Sequence, residues 1–67
     1  MEFNNINRIL LKSKRPAYFL KGDVTWAEIS FIDGFIEGLN SAHEISENDY
    51  FACRTEIFQA ERQLLKI

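Results

Sequence analysis

TWAEISFIDGFIEGLNSA, residues Thr25 to Ala42, is the stretch that decides the fold. Ile29, Ile32, Phe35, Ile36, Leu39 and Ala42 recur at steps of three and four. That period places them on one broad stripe of an α-helix. Thr25 and Glu28 stand three apart, as a capping box at a helix start requires. Ala27, Phe31, Gly34 and Gly38 form a second, partly small stripe beside the first. A helix apolar on two flanks is normally covered by two neighbours, so this one is expected at the centre of a helical bundle. Gly34 and Gly38 each cost about 1 kcal/mol relative to alanine inside a helix, so the missing side chains are expected to be used. Two readings are open for them. One is close packing against the first or third helix; the other is a groove for a second copy or a partner.

Working outward, Phe3, Ile6, Ile9 and Leu10 share one face of a first helix over residues 3–12. Asn7, Arg8 and Lys12 are assigned to the opposite face, and Asn4 or Asn5 to the cap. Pro16 forbids a smooth continuation. Residues 16–20, PAYFL, then read as a short apolar turn laid over the core. On the other side of the central helix, His43-Glu44-Ile45 is a connection and Ser46 a cap, with Asp49 three residues on. Ile45 and Tyr50 flank that cap as a hydrophobic staple would. The third helix, roughly residues 46–65, carries Tyr50, Cys53, Ile57, Ala60, Leu64 and Ile67 on the spacing of its apolar face. Phe51, Phe58 and Leu65 are expected to widen that face, and Glu56 to sit on the polar one. The reading is all-α: one domain, residues 1–67, a small bundle of three main helices with the apolar turn between helices one and two.

Sixty-seven residues bury only roughly 60% of their unfolded surface, so a chain of this size often leans on a disulfide, a metal or a partner. One cysteine cannot close a disulfide within the chain, and one histidine and one cysteine cannot complete a structural zinc site. Self-association or a partner protein is the remaining help. A lone thiol, an N-terminus without a basic and apolar leader, and no apolar run near the 20 residues of a membrane span point to the cytosol.

The net charge of −2 is unevenly spread. Residues 1–22 carry +4, residues 23–49 carry −7 without one Lys or Arg, and residues 50–67 carry +1. Cys53, on the apolar face, reads as a buried inert thiol. His43 reads as a surface loop residue, and the pair Asp33 and Glu37 as a charged helix face. No phosphate loop, metal-ligand cluster or cofactor motif appears, so no catalysis and no cofactor are expected. The basic run Lys12, Lys14, Arg15 and Lys21, with Tyr18 and Phe19, is a possible phosphate contact. The acidic balance, with a pI near 5.2, weighs against nucleic acid. The acidic middle suits a basic partner better, since such a surface steers association. Asp33, Glu37, Glu44, Glu47 and Asp49 are the candidate partner-binding residues.

Arg15-Pro16-Ala17-Tyr18-Phe19-Leu20, followed by Phe31-Ile32-Asp33-Gly34-Phe35, resembles a set of small bacterial proteins. Their early region reads Arg-Pro-x-Met-Tyr-Leu-Gly and continues into a helix containing Phe-Ile-x-Gly-Tyr. Here Tyr18 stands for the Met, Phe19 for the Tyr, and the glycine comes one residue late, at Gly22. The match covers residues 15–38 and transfers no site residues. Some members of that set lie beside secreted-toxin genes and act as immunity proteins. The resemblance therefore implies a toxin-neutralising, non-catalytic partner protein. A homodimeric assembly helper and a small nucleic-acid regulator using residues 12–21 are the competing expectations.

Overall fold

The structure is a computed structural model and describes residues 3–13 and 25–65. It is an all-α bundle of three helices: α1 (Asn4–Lys12), α2 (Trp26–Ser41) and α3 (Glu47–Leu65). The apolar turn at residues 16–20 lies outside the described residues, as do Lys14, Arg15, Lys21 and Gly22. Both halves of the expected capping box are made at α2. Glu28 N donates to Thr25 Oγ1 at 3.2 Å, and Thr25 N donates to Glu28 Oε1 at 3.0 Å.

α2 ends in a tight left-handed turn. His43 takes φ 57°, Glu44 N donates to the Leu39 carbonyl at 2.8 Å, and His43 N donates to that of Asn40 at 3.1 Å. This is the Schellman pattern, which satisfies carbonyls that would otherwise be orphaned at the helix end. The loop position of His43 is thus a helix stop. α3 starts where Ser46 Oγ accepts from Asp49 N at 3.1 Å, and Ile45 and Tyr50 on either side of that cap both pack on the core.

The centre of the bundle is α3, not α2: α3 packs against both other helices, while α1 and α2 meet more sparsely. The reason is length and two-sidedness. Along α3, Glu56 and Asp49 reach Asn5 and Arg8 of α1, while Tyr50 and Arg54 reach Glu37 and Asp33 of α2. In both pairs the numbers run in opposite directions, so α1 and α2 are each antiparallel to α3. They are parallel to one another, and the end of α1 and the start of α2 lie at opposite ends of the bundle. One core joins all three: Phe3, Ile6, Ile9 and Leu10 with Ile29, Ile32 and Ile36, and with Cys53, Ile57 and Ala60.

Several expectations about faces fail, among them that of Ala42, which the period places on the core stripe and which is exposed. Neither Gly34 nor Gly38 packs against α1 or α3: among the described residues nothing comes within 4 Å of the position a Cβ would occupy at either. The second stripe of α2 faces outward. Phe51, Phe58 and Leu65 do not widen the core face of α3 but stand exposed. One residue is a 100° step, so Phe58 lies past the contact that Arg54 makes with α2. Asn7 is not on a polar face; it is buried, and its Oδ1 finds no hydrogen-bond partner among the described residues.

A buried acceptor without a donor costs about 1–3 kcal/mol. Asn7→Leu, with the same branched heavy-atom shape, is therefore expected to stabilise the chain by about 1 kcal/mol in urea unfolding. A loss of the same size would show that Asn7 is satisfied in solution.

Candidate protein-binding surface

The structure divides the five candidate carboxylates into two groups. Asp33 and Glu37 lie one turn apart on α2, where α3 crosses them. Arg54 pairs with Asp33 and lies 3.4 Å from Glu37, and Tyr50 Oη donates to Glu37 Oε2 at 2.7 Å. The Glu37 carboxylate holds the Tyr50 proton, which raises the Tyr50 pKa; burial adds to the effect. Arg54 is the only base near this pair among the described residues, and it answers two acids.

The second group surrounds the α2–α3 turn. Asp49 takes a two-pronged contact from Arg8, at 2.7 and 3.5 Å. That hydrogen bond, more than any other influence, holds the Asp49 carboxyl below its ordinary range and raises the Arg8 guanidinium. Glu44 and Glu47 are exposed and make no ion pair among the described residues. Glu44 and Asp49 line one open cleft of about 500 Å³, together with Lys12, Ser13 and Ser46. Its floor is apolar: Ile9, Phe35, Leu39 and Ile45. The cleft forms because α1 and α2 both end here and α3 begins here, so side chains from three helix ends converge. Its rim presents the exposed Glu44, the Arg8-braced Asp49 and Lys12 around an apolar socket. Such a shape accepts an apolar side chain that comes with a basic neighbour.

Sequence reasoning missed the groups that fix these carboxylates. Arg8 lies 41 residues from Asp49, and Arg54 lies 21 from Asp33. No local spacing announces such pairs. It also placed Glu56 in solvent. Glu56 is 8% exposed, and its carboxylate accepts from Ile6 N at 2.8 Å, Asn5 N at 3.0 Å and Asn5 Nδ2 at 2.8 Å. The N-cap position of α1 is Phe3, which offers no side-chain cap. Neither Asn4 nor Asn5 occupies the cap position, and the acceptor for the first free N–H groups comes instead from the middle of α3. The sequence signal was indirect: a first helix beginning on an apolar residue has no acceptor of its own.

Cys53 is fully buried and sits on the core face as expected. Burial pushes its thiol up to about 11, with the charges of Glu56 and Asp49 adding and Arg8 opposing. The folded chain keeps a proton that the unfolded chain releases near its ordinary value of 9.0, so stability is expected to fall between about pH 9 and 11. Thiol alkylation at neutral pH should wait on unfolding; rapid alkylation of the native chain would contradict this burial.

Among the described residues no three of His, Cys, Asp and Glu gather as metal ligands, and no helix is long and apolar enough to cross a membrane. Of the basic run, Lys12 is described, on the last turn of α1. Comparison with protein-family models, with curated proteins and with solved structures finds no match to this chain.

Proposed function

We propose that the chain is a non-catalytic protein-binding module of the cytosol. In its most concrete form it is an inhibitor of the immunity type, neutralising a basic bacterial toxin such as a nuclease. The observation that carries this reading is the apolar cleft rimmed by Glu44 and Asp49, with Asp49 braced by Arg8 and Glu47 exposed at the start of α3. Asp49, already held by Arg8, loses little freedom on binding, which favours affinity. The unpaired charges of Glu44 and Glu47 speed the approach of a basic surface. An apolar residue of the partner fills the socket, and its basic neighbours meet Glu44 and Glu47.

The test compares the wild-type chain with the double variant Glu44→Lys and Glu47→Lys as bait in extracts of its native cell. Both are expected to keep the helical circular dichroism signal, since neither residue is paired. A basic protein retained by the wild type and lost by the variant is the expected result, with binding that weakens as salt rises. Equal retention by both baits defeats the assignment of the site. No protein partner, with tight DNA binding by the purified chain at physiological salt, defeats the function and favours a nucleic-acid role for residues 12–21.

A further inference from the structure

The α2–α3 pair has two unlike faces. One packs on α1 and carries the core. The other is turned away from α1. Going round α3 from the core, Ile57 is followed by Arg54, which meets α2, and then by Phe58. Going round α2, Ile36 is followed by Asp33 and Glu37, which meet α3, and then by Gly34. Phe58 and Gly34 therefore lie on the same side of the pair, opposite the core.

On this side α3 raises a ridge. Phe51, Phe58 and Leu65 stand seven residues apart and are 57%, 58% and 63% exposed. Seven residues advance about 10.5 Å and return to within about 20° of the same line. α2 offers a valley on the same side. Ala27, Gly34 and Ser41 are also seven apart and exposed, and nothing among the described residues lies within 4 Å of a Cβ built on Gly34. None of the six carries a charge. Large apolar groups in a repeating row are a surface that solvent disfavours and a partner covers.

We infer that this face joins two copies of the chain, about a twofold axis parallel to the helices, with the α3 ridge of each copy lying in the α2 valley of the other. The occupant is a second copy because the ridge and the valley that matches it in step belong to one chain, which is what an isologous interface requires. Such an axis keeps the antiparallel sense and the level that Asp33–Arg54 and Glu37–Tyr50 set within each chain. It brings Phe51 of one copy to within about 3 Å of the level of Gly34 of the other, and Phe58 to within about 3 Å of the level of Ala27. A twofold crossing the helices would stack ridge on ridge and leave both valleys empty.

The size also fits. The 19 residues of α3 run about 28 Å, and two helices side by side are about 20 Å wide. The flat area is roughly 560 Å² before the relief of side chains is added, against the 800 Å² or so that each partner gives a stable interface. Between ridge and valley the face carries Arg54, Asp33 and Glu37, whose charges are already paired with one another within each copy, and Arg62 lies over the ring of Phe58. The proposed partner-binding cleft is a separate site at the end of the bundle where α1 stops, but Glu47 falls within about 20° of the line of Phe58 and borders the ridge.

Sedimentation equilibrium of the full chain from micromolar to millimolar concentration tests it, with Phe58→Lys on the ridge and Gly34→Leu in the valley. The wild type is expected to dimerise, with a melting temperature that rises with concentration. Each variant is expected to weaken the dimer about tenfold or more while keeping its helical spectrum. Leucine is the better helix former, so a loss at Gly34→Leu is not a weakened helix. The two changes sit on different helices, so misfolding of one leaves the other as the test. A monomeric wild type at millimolar concentration overturns the inference, whether the face is bare or covered by residues 14–24. So does either folded variant that dimerises like the wild type, or association that grows without limit beyond two copies.

Discussion

Glu56→Ala is expected to destabilise the chain by about 3 kcal/mol. The carboxylate answers three N–H donors at the start of α1, from Ile6 N, Asn5 N and Asn5 Nδ2. Ile6 is fully buried, so its amide has no route to water once the acceptor is gone. A buried donor left unmatched costs about 1–3 kcal/mol, and donors to a charged acceptor sit at the upper end. α1 has nine residues, too short to hold as a helix without tertiary support. Its first turn should fray when Glu56 is removed, taking Phe3 and Ile6 out of the core. The total stability of a chain of 67 residues is roughly 3–10 kcal/mol, so the variant should lose about a third of it or more. Glu56→Gln keeps one oxygen for the amides but sets an N–H₂ group against the remaining donors, and should lose about half as much. Urea denaturation followed by circular dichroism measures both. A loss below about 0.5 kcal/mol for Glu56→Ala, the range of ordinary surface changes, would mean that α1 is held by its apolar face alone.

Ile32→Ala should cost about 3–4 kcal/mol, the range for isoleucine removed from a tight core. Ile32 has no exposed surface and lies in the cluster that joins all three helices. The loss combines the transfer of the deleted methyl groups with the cavity they leave. Phe58→Ala serves as its contrast. It deletes a larger side chain from the same bundle, yet Phe58 is 58% exposed, so monomer stability measured at low concentration should change by less than about 0.5 kcal/mol. If Phe58→Ala proved as damaging as Ile32→Ala, the ridge on α3 would be core in solution. Chemical denaturation at low protein concentration separates the two, because it keeps association out of the measurement.

What the sequence by itself determined was local. The period of Ile29, Ile32 and Ile36, the Thr25–Glu28 cap and the Ser46 cap fixed three helices to within a residue or two, since each signal is carried by neighbours in the chain. The interior nature of Cys53 and Ile57 followed in the same way. Tertiary structure decided which helix is central, which of two apolar stripes is covered, and what each carboxylate does. Periodicity marks a face as apolar but does not say whether another helix reaches it; Phe58 and Ile57 are adjacent, and only the position of α2 makes one exposed and the other buried. The same holds for charge. Glu56 and Glu47 are alike as residues on one helix, yet the start of α1 falls on the first and leaves the second in solvent. Burial and electrostatic partnership are properties of what lies across space, and the groups of other helices that answer Glu56, Asp49 and Asp33 are between 21 and 51 residues away along the chain.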